Sequence, residues 1–205
     1  MKPATPDTAV TDVERCLAFV NTLSARPTEA PVERLVSYAA LAGWARDAGL
    51  IGPAEHGRLV ARAADHGREA SRVLGYAISL REALHAVVAA RAAGRAAPAA
   101  ELATVAGFIA ASLDASDLVL EGEAYWWAPR GSDDQLLRPV HALARAAARM
   151  VSSPLLGRIK ACDAADCGWW FLDDTKNGRR RWCDMKICGN REKVRRFRSR
   201  SQKAD

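Results

Sequence analysis

The sequence has no long run of apolar residues and no apolar leader at its start. Residues 1–8 contain two prolines and lack the apolar core of a secretory signal peptide. No stretch shows the roughly 18 consecutive apolar residues of a membrane span. These absences predict a cytoplasmic protein without a membrane segment. Thiols stay reduced in the cytoplasm, so clustered cysteines there favour metal binding over disulfide formation.

Motifs for catalysis are also missing from the sequence. It contains no nucleophile elbow, no phosphate-binding loop and no dinucleotide-binding glycine motif. Its four histidines are scattered without the spacing of metal ligands. An enzyme is therefore an alternative hypothesis only, in which Asn21, Arg81 and His85 would carry out acid–base chemistry on a small molecule.

The sequence is rich in alanine and poor in β-branched residues, which predicts a mainly α protein. Residues 1–10 are expected to be a flexible lead-in, and residues 11–153 a helical domain. Within this domain a β-hairpin is predicted at 117–121 and 124–128, around a Glu-Gly-Glu turn. Apolar spacing, prolines and glycines place the helices at 11–23, 38–48, 53–93 (divided at Gly67 or Gly75), 98–112 and 134–151, with a kink at Pro139.

Four of the five cysteines form two pairs with the same internal gap. Cys162 and Cys167 are followed, after fifteen residues, by Cys183 and Cys188. This spacing predicts a tetrahedral site with four thiolate ligands for one zinc ion; the alternative is two disulfides in a secreted protein. Four thiolates leave no open position for water, so the zinc is expected to be structural. Cys16 lies in an apolar stretch and is predicted to be buried.

The net charge of +6 comes from the last quarter of the chain. Residues 157–205 contain 14 Lys and Arg against 7 Asp and Glu, whereas residues 1–156 contain 16 against 17. A basic segment on a neutral body predicts a polyanionic partner, here DNA. The alternatives are a solvated tail that binds nucleic acid without specificity, and an adaptor whose zinc module binds another protein.

The region of the cysteines is predicted to fold as a β-hairpin followed by a helix. Asn177-Gly178 predicts a turn with a return strand through Arg181 and Trp182, and a helix is expected from about Arg191 to Ser201. Val194 and Phe197 are predicted to pack inward, and Arg191 to support the metal site. The predicted DNA contacts are Arg179, Arg180, Arg181, Lys193, Arg195, Arg196, Arg198 and Arg200.

The pattern C-x4-C…W-C-x4-C-G-N-R over residues 162–191 resembles the bacterial CGNR zinc finger. The resemblance continues through K-V-R-R-F-R at 193–198. Upstream, F-V-N-T at 19–22, the segment 44–50 and L-R-E at 80–82 resemble the ABATE domain that precedes this finger. Asp184 stands where a small hydroxyl residue is expected, which leaves the ligand set unchanged. The resemblance implies a transcription regulator with an ABATE-like domain at 11–153 and a zinc finger at 158–205.

A neutral helical body joined to a DNA-binding module predicts a domain that senses a small ligand. The candidate pocket residues are polar or aromatic where a packed helix favours apolar ones: Asn21, Thr22, Trp44, Arg81 and His85. Arg81 would pair with a ligand carboxylate. The alternatives are structural: Trp44 in the core, Arg81 in an ion pair and His85 on a solvated face. A homodimer is expected to help specify DNA, because one finger presents few base contacts.

Overall fold

The computed structural model describes residues 6–132 and 135–201, with the backbone alone at 6–10, 196 and 199–201. The described helices are α1 (Pro6–Val20), α2 (Tyr38–Asp47), α3 (Pro53–Asp65), α4 (Gly67–Ala92), α5 (Ala99–Asp114), α6 (Arg138–Val151) and α7 (Asn190–Ser201). The strands are β1 (Leu23–Ser24), β2 (Val32–Glu33), β3 (Ser116–Glu121), β4 (Ala124–Pro129), β5 (Ile159–Ala161) and β6 (Trp170–Leu172). The chain is therefore mainly α, as predicted.

Local sequence signals set several helix boundaries where they were expected. The Oγ atom of Ser37 accepts a hydrogen bond from the N–H of Ala40 at 3.1 Å and caps α2. Gly49 follows the same helix with a φ of 67°, a left-handed conformation that favours glycine. Pro53 opens α3, and α4 begins at Gly67, which confirms the predicted division of the long helical stretch.

Two predictions that rested on prolines were wrong. The lead-in was predicted to extend to residue 10, but α1 begins at Pro6. Pro139 lies in the first turn of α6 and produces no kink. Both prolines occupy the first turn of a helix. The N–H groups there have no partner within the helix, so proline is tolerated without a break or a kink. Residues 1–5 and Asp134 lie outside the described residues. The helix predicted from residue 134 begins only at Arg138, because the described residues 135–137 form a turn.

The core lies between α1, α4, α5 and α6, which pack against one another. Its largest fully buried side chains include Phe19, Leu80, Leu84, Leu143 and Met150. Among the described residues, one helix, α4, is long and apolar enough to cross a membrane by length and composition, although no such segment was expected. Half of that stretch is buried, and α4 packs on five other helices of the body, as a central core helix does.

The β3–β4 hairpin confirms the predicted pair of strands and extends each by one residue. One face of the hairpin turns inward, where Trp126 is only 4% exposed and its indole N–H donates to the carbonyl of Glu121. The opposite face leaves Leu118, Leu120 and Tyr125 exposed. The hairpin is joined to the helices through β3, which packs on α5, and the hydroxyl of Ser116 donates to the carbonyl of Ser112. A two-stranded sheet needs such support in water.

The last quarter of the chain is joined to the core by β5 and β6. These strands pair antiparallel, and Ile159 and Leu172, which lie opposite each other, both belong to the main core. The return strand predicted after Gly178 was wrong, because β6 pairs with β5 instead. Gly178 has a φ of 56°, so the Asn-Gly signal produced the turn without a strand beyond it.

Candidate metal centre and basic surface

The four paired cysteines converge on one point. Their sulfur atoms all lie within 4.8 Å of one another. The sulfur of Cys183 lies 3.6 Å from that of Cys167 and 3.7 Å from that of Cys188. A disulfide bond is about 2.05 Å long, so the disulfide alternative does not hold. Sulfurs at about 2.3 Å from zinc in a tetrahedron lie about 3.8 Å apart, and the observed set fits one zinc ion.

Two short turns bring the cysteines to this point. The first pair lies in the loop of the β5–β6 hairpin, where the N–H of Cys162 donates to the carbonyl of Trp169 at 2.8 Å. Cys183 precedes a π-helical turn, Met185–Gly189, which contains Cys188 and leads directly into α7. A carboxylate oxygen of Asp184 accepts the N–H groups of the next turn at 2.7 and 2.9 Å. Asp184 thus provides the cap that a hydroxyl residue would provide at this position.

Burial and mutual proximity oppose the ionisation of two of the four thiols. Burial, followed by the adjacent sulfur atoms, raises the pKa of Cys188 to about 12 and raises the pKa of Cys183 as well. A bound divalent cation reverses this effect, because it stabilises the thiolates. Arg191 lies with one guanidinium nitrogen 3.5 Å from the sulfur of Cys188 and 2.9 Å from a carboxylate oxygen of Asp166. Arg191 therefore lies beside the metal site, where it was predicted.

Comparison with protein families agrees with both halves of this architecture. Residues 158–201 match the CGNR zinc finger, and residues 14–154 match the ABATE family, described as "Putative stress-induced transcription regulator". The chain belongs to the ABATE family. Its CGNR finger carries four cysteines that hold one structural zinc ion. No curated protein matches the chain.

A buried carboxylate, Asp173, organises the loop between the two cysteine pairs of the CGNR finger. It accepts hydrogen bonds from Lys160 Nζ at 2.6 Å, from the hydroxyl of Thr175 at 2.5 Å and from the N–H of Arg180 at 3.0 Å. Lys160 is the largest cause of a pKa well below the usual range for this aspartate. No sequence motif singled out Asp173, since its partners come from both sides of the turn.

The predicted DNA contacts differ in what their side chains do. The guanidinium of Arg180 lies over the ring of Phe171 and donates to the backbone carbonyls of Trp182 and Cys183, so its hydrogen bonds are made inside the finger. Arg181 is half exposed, with its Nε atom 2.5 Å from a carboxylate oxygen of Asp163. Arg179 is exposed.

Helix α7 places further basic groups at the surface of the finger. Lys193, Arg195 and Arg198 are exposed, whereas the side chains of Arg196 and Arg200 lie outside the described residues. The inward packing predicted for Val194 and Phe197 was wrong, because they are 50% and 73% exposed. Helix α7 packs on the π-helical turn. This contact does not bury Val194 or Phe197.

Arg81 lies at the centre of a buried ion network in the ABATE domain. It is 2% exposed, and its two terminal nitrogens donate to both carboxylate oxygens of Glu33 at 2.7 and 2.6 Å. The Nε atom donates to Glu82 at 2.8 Å, and Glu82 also accepts two bonds from Arg26. The hydroxyl of Thr22 accepts a further bond from Arg81 at 3.2 Å. Arg81 therefore makes the ion pairs of the structural alternative.

The other candidate pocket residues face the core or the finger. Trp44 packs on Phe19, with 4.7 Å between ring centroids. Asn21 bonds the backbone of Trp170, and the ring of His85 meets the Trp170 ring edge-on at 5.8 Å. Burial, followed by the charge of Arg26, lowers the pKa of His85. Asn21 and His85 thus join the ABATE domain to the finger.

Proposed function

We propose that this ABATE protein is a bacterial transcription regulator that binds DNA through its CGNR finger in the cytoplasm. The observation that carries the proposal is the set of exposed cations on the finger. Arg179 and Arg181 follow the Asn-Gly turn, and Lys193, Arg195 and Arg198 lie on α7. Zinc holds these two segments together, because each contributes to or adjoins the same four-cysteine site.

The charge distribution supports this assignment of the DNA-binding surface. The net positive charge of the chain comes from the finger and its tail, while the basic and acidic residues of the ABATE domain nearly balance. Phosphate contacts from arginine and lysine supply sequence-independent affinity and orient a protein on the duplex. A homodimer would present two fingers and so lengthen the sequence that is read.

The proposal predicts a defined dependence of DNA affinity on salt. If about five phosphates are neutralised, log K falls with log[salt] with a slope of about −4.5. Fluorescence anisotropy of labelled duplexes from genomic fragments measures the slope between 50 and 200 mM KCl. Replacing Arg179 and Arg198 together by Ala should reduce the slope by about 2. Arg72→Ala, which removes an exposed arginine of α4, is the matched control and should leave the slope unchanged.

No binding of duplex DNA at 50 mM KCl, or a slope unaffected by the double variant, would overturn DNA binding. Stable capture of a protein partner by the finger under those conditions would favour the adaptor instead.

The ABATE domain is proposed as the sensing part of the regulator. Direct contacts between the domain and the finger support this proposal. Asn21, which follows α1, bonds the backbone of Trp170, and His85 of α4 packs on the Trp170 ring.

A further inference from the structure

A cleft lies between the C-terminal end of α4 and the CGNR finger. Its volume is about 810 Å³, which is within the usual range for a small-molecule site. One wall consists of three alanines in the last turns of α4, and another of β5 and Trp170. The third wall is the arginine segment 179–181 that follows the Asn-Gly turn.

The arginine wall gives the cleft a positive charge. Arg179 forms no hydrogen bond or ion pair within the described part of the chain, and its side chain is exposed. Arg181 uses its Nε atom for Asp163, the acidic residue that lines the cleft. Arg180 adds positive charge, but its guanidinium donates hydrogen bonds to backbone carbonyls of the finger. The cleft therefore presents guanidinium groups that can bind a carboxylate, sulfonate or phosphate group.

The remaining walls suit an apolar body. The lining from α4 and β5 is alanine and isoleucine except for Lys160, whose Nζ atom donates to Asp173. The indole nitrogen of Trp170 is buried without an acceptor among the residues described. Asn21 fixes the backbone of Trp170 and His85 lies against its ring, so the ABATE domain determines where this wall stands. A planar apolar group that packs beside Trp170 would bring its anionic group near the arginines.

We propose that this cleft binds a small organic anion, with an aromatic or apolar body and one anionic group. Occupancy weakens DNA binding, because Arg179 and Arg181 belong both to the cleft and to the proposed DNA surface. This second step rests on the proposed function. The coupling is reciprocal, so DNA must weaken binding of the anion by the same factor.

The test uses zinc-loaded, full-length protein and 2-naphthalenesulfonate as the probe, with neutral 2-naphthalenemethanol as its control. Isothermal titration calorimetry should show sulfonate binding that is at least about tenfold tighter than binding of the alcohol. Arg179→Ala should weaken sulfonate binding about tenfold. Ala92→Phe places a phenyl ring where the apolar body would pack, keeps every charge and should abolish binding. Arg198→Ala removes a cation on α7 outside the cleft and should leave sulfonate binding unchanged.

Anisotropy with labelled DNA then measures the coupling. The sulfonate should weaken DNA binding by the wild-type protein and have no such effect on Ala92→Phe. No sulfonate binding, or equal binding by wild type, Arg179→Ala and Ala92→Phe, overturns the cleft. Sulfonate binding without any change in DNA affinity overturns the competition. Failure of the wild type to bind DNA at all overturns the proposed function and the competition, whereas calorimetry still decides the anion site separately.

Discussion

The side-chain amide of Asn21 forms two hydrogen bonds with the backbone of Trp170. Its nitrogen donates to the Trp170 carbonyl at 2.9 Å, and its oxygen accepts from the Trp170 N–H at 2.9 Å. The two residues are 149 positions apart, so this pair ties the end of α1 to β6 of the finger. Close by, the N–H of Ala25 donates to the carbonyl of the zinc ligand Cys167 at 3.1 Å. The ABATE domain thus contacts the metal loop itself.

Asn21→Asp should loosen this junction. The carboxylate can still accept from Trp170 N–H, but it cannot donate to the carbonyl and places a charge against it. We expect the free energy of unfolding in urea at pH 7 to fall by about 1–3 kcal/mol. Asn177→Asp, in the exposed turn before Gly178, is the control and should change it by less than about 0.5 kcal/mol. Equal effects of the two variants would contradict the proposed tie.

Arg81→Met should destabilise the ABATE domain by removing the centre of its ion network. Glu33 and Glu82 would be left without their shared partner, but both are partly exposed, so water offsets some of the loss. We expect a decrease of about 2 kcal/mol in the free energy of unfolding. Arg81→Lys should recover little of it, because an ammonium cannot reproduce the two-pronged contact with Glu33. Full rescue by lysine would contradict this account.

The same network should make stability depend on pH. Burial raises the pKa of Glu33 and of Glu82, but hydrogen bonds from Arg81, and from Arg26 to Glu82, outweigh it and leave both pKa values lowered. Carboxylates with lowered pKa stabilise the fold above the ordinary glutamate value, about 4.3, and that stability is lost as pH falls through the folded-state value. The difference in unfolding free energy between wild type and Arg81→Met should be constant from pH 7 to 5 and shrink towards pH 3. Urea titrations at each pH measure it, and a difference that grows on acidification would refute the network.

The sequence predicts the metal ligands and most helices well, because those signals are local. Cysteine spacing and the proline and glycine boundaries of α2, α3 and α4 each involve a few neighbouring residues. The polar residues of the ABATE domain were assigned to a pocket because their partners are remote in the chain. Asn21 meets Trp170 and Arg81 meets Glu33 only after folding, and no periodicity marks such pairs. The pairing of β6 with β5 was missed for the same reason. An Asn-Gly pair predicts a turn, but it does not show whether the residues after the turn form a strand.

Removal of zinc should unfold the finger while the ABATE domain persists. The separate buried cluster of the finger consists of Cys162, Ala164, Phe171 and Cys188, and two of these four are metal ligands. This cluster is too small to hold the finger folded by apolar burial alone. Zinc binding contributes about 10–16 kcal/mol in small finger peptides, and its removal takes that stabilisation away. Hydrogen exchange with and without a zinc chelator should show lost protection at 162–191 and retained protection in α1, α4 and α6.

Thiol titration gives an independent measurement of the metal site. Four thiols should become reactive after chelation, while Cys16 should react only on global unfolding, because burial raises its pKa and blocks access. Cys183→Ser should lose the zinc ion, and Cys16→Ala should keep one per chain. Purified protein that contains no zinc, or exchange unchanged by the chelator, would contradict a structural metal.

Gly168→Ala should disturb the contact between the metal loop and the ABATE domain. Gly168 has a φ of 68°, and a Cβ atom there would lie 2.6 Å from Pro27 Cδ and 3.1 Å from the backbone nitrogen of Arg26. Gly178→Ala is a matched control, since its φ is 56° but its Cβ would meet nothing within 4 Å. Left-handed strain costs each variant about 1–2 kcal/mol. Gly168→Ala should lose at least about 1 kcal/mol more, because the clash adds to the strain. Urea unfolding compares the two variants. Equal losses would show that the loop and the segment at 26–27 separate freely, and the ABATE domain would then not position the finger through this contact.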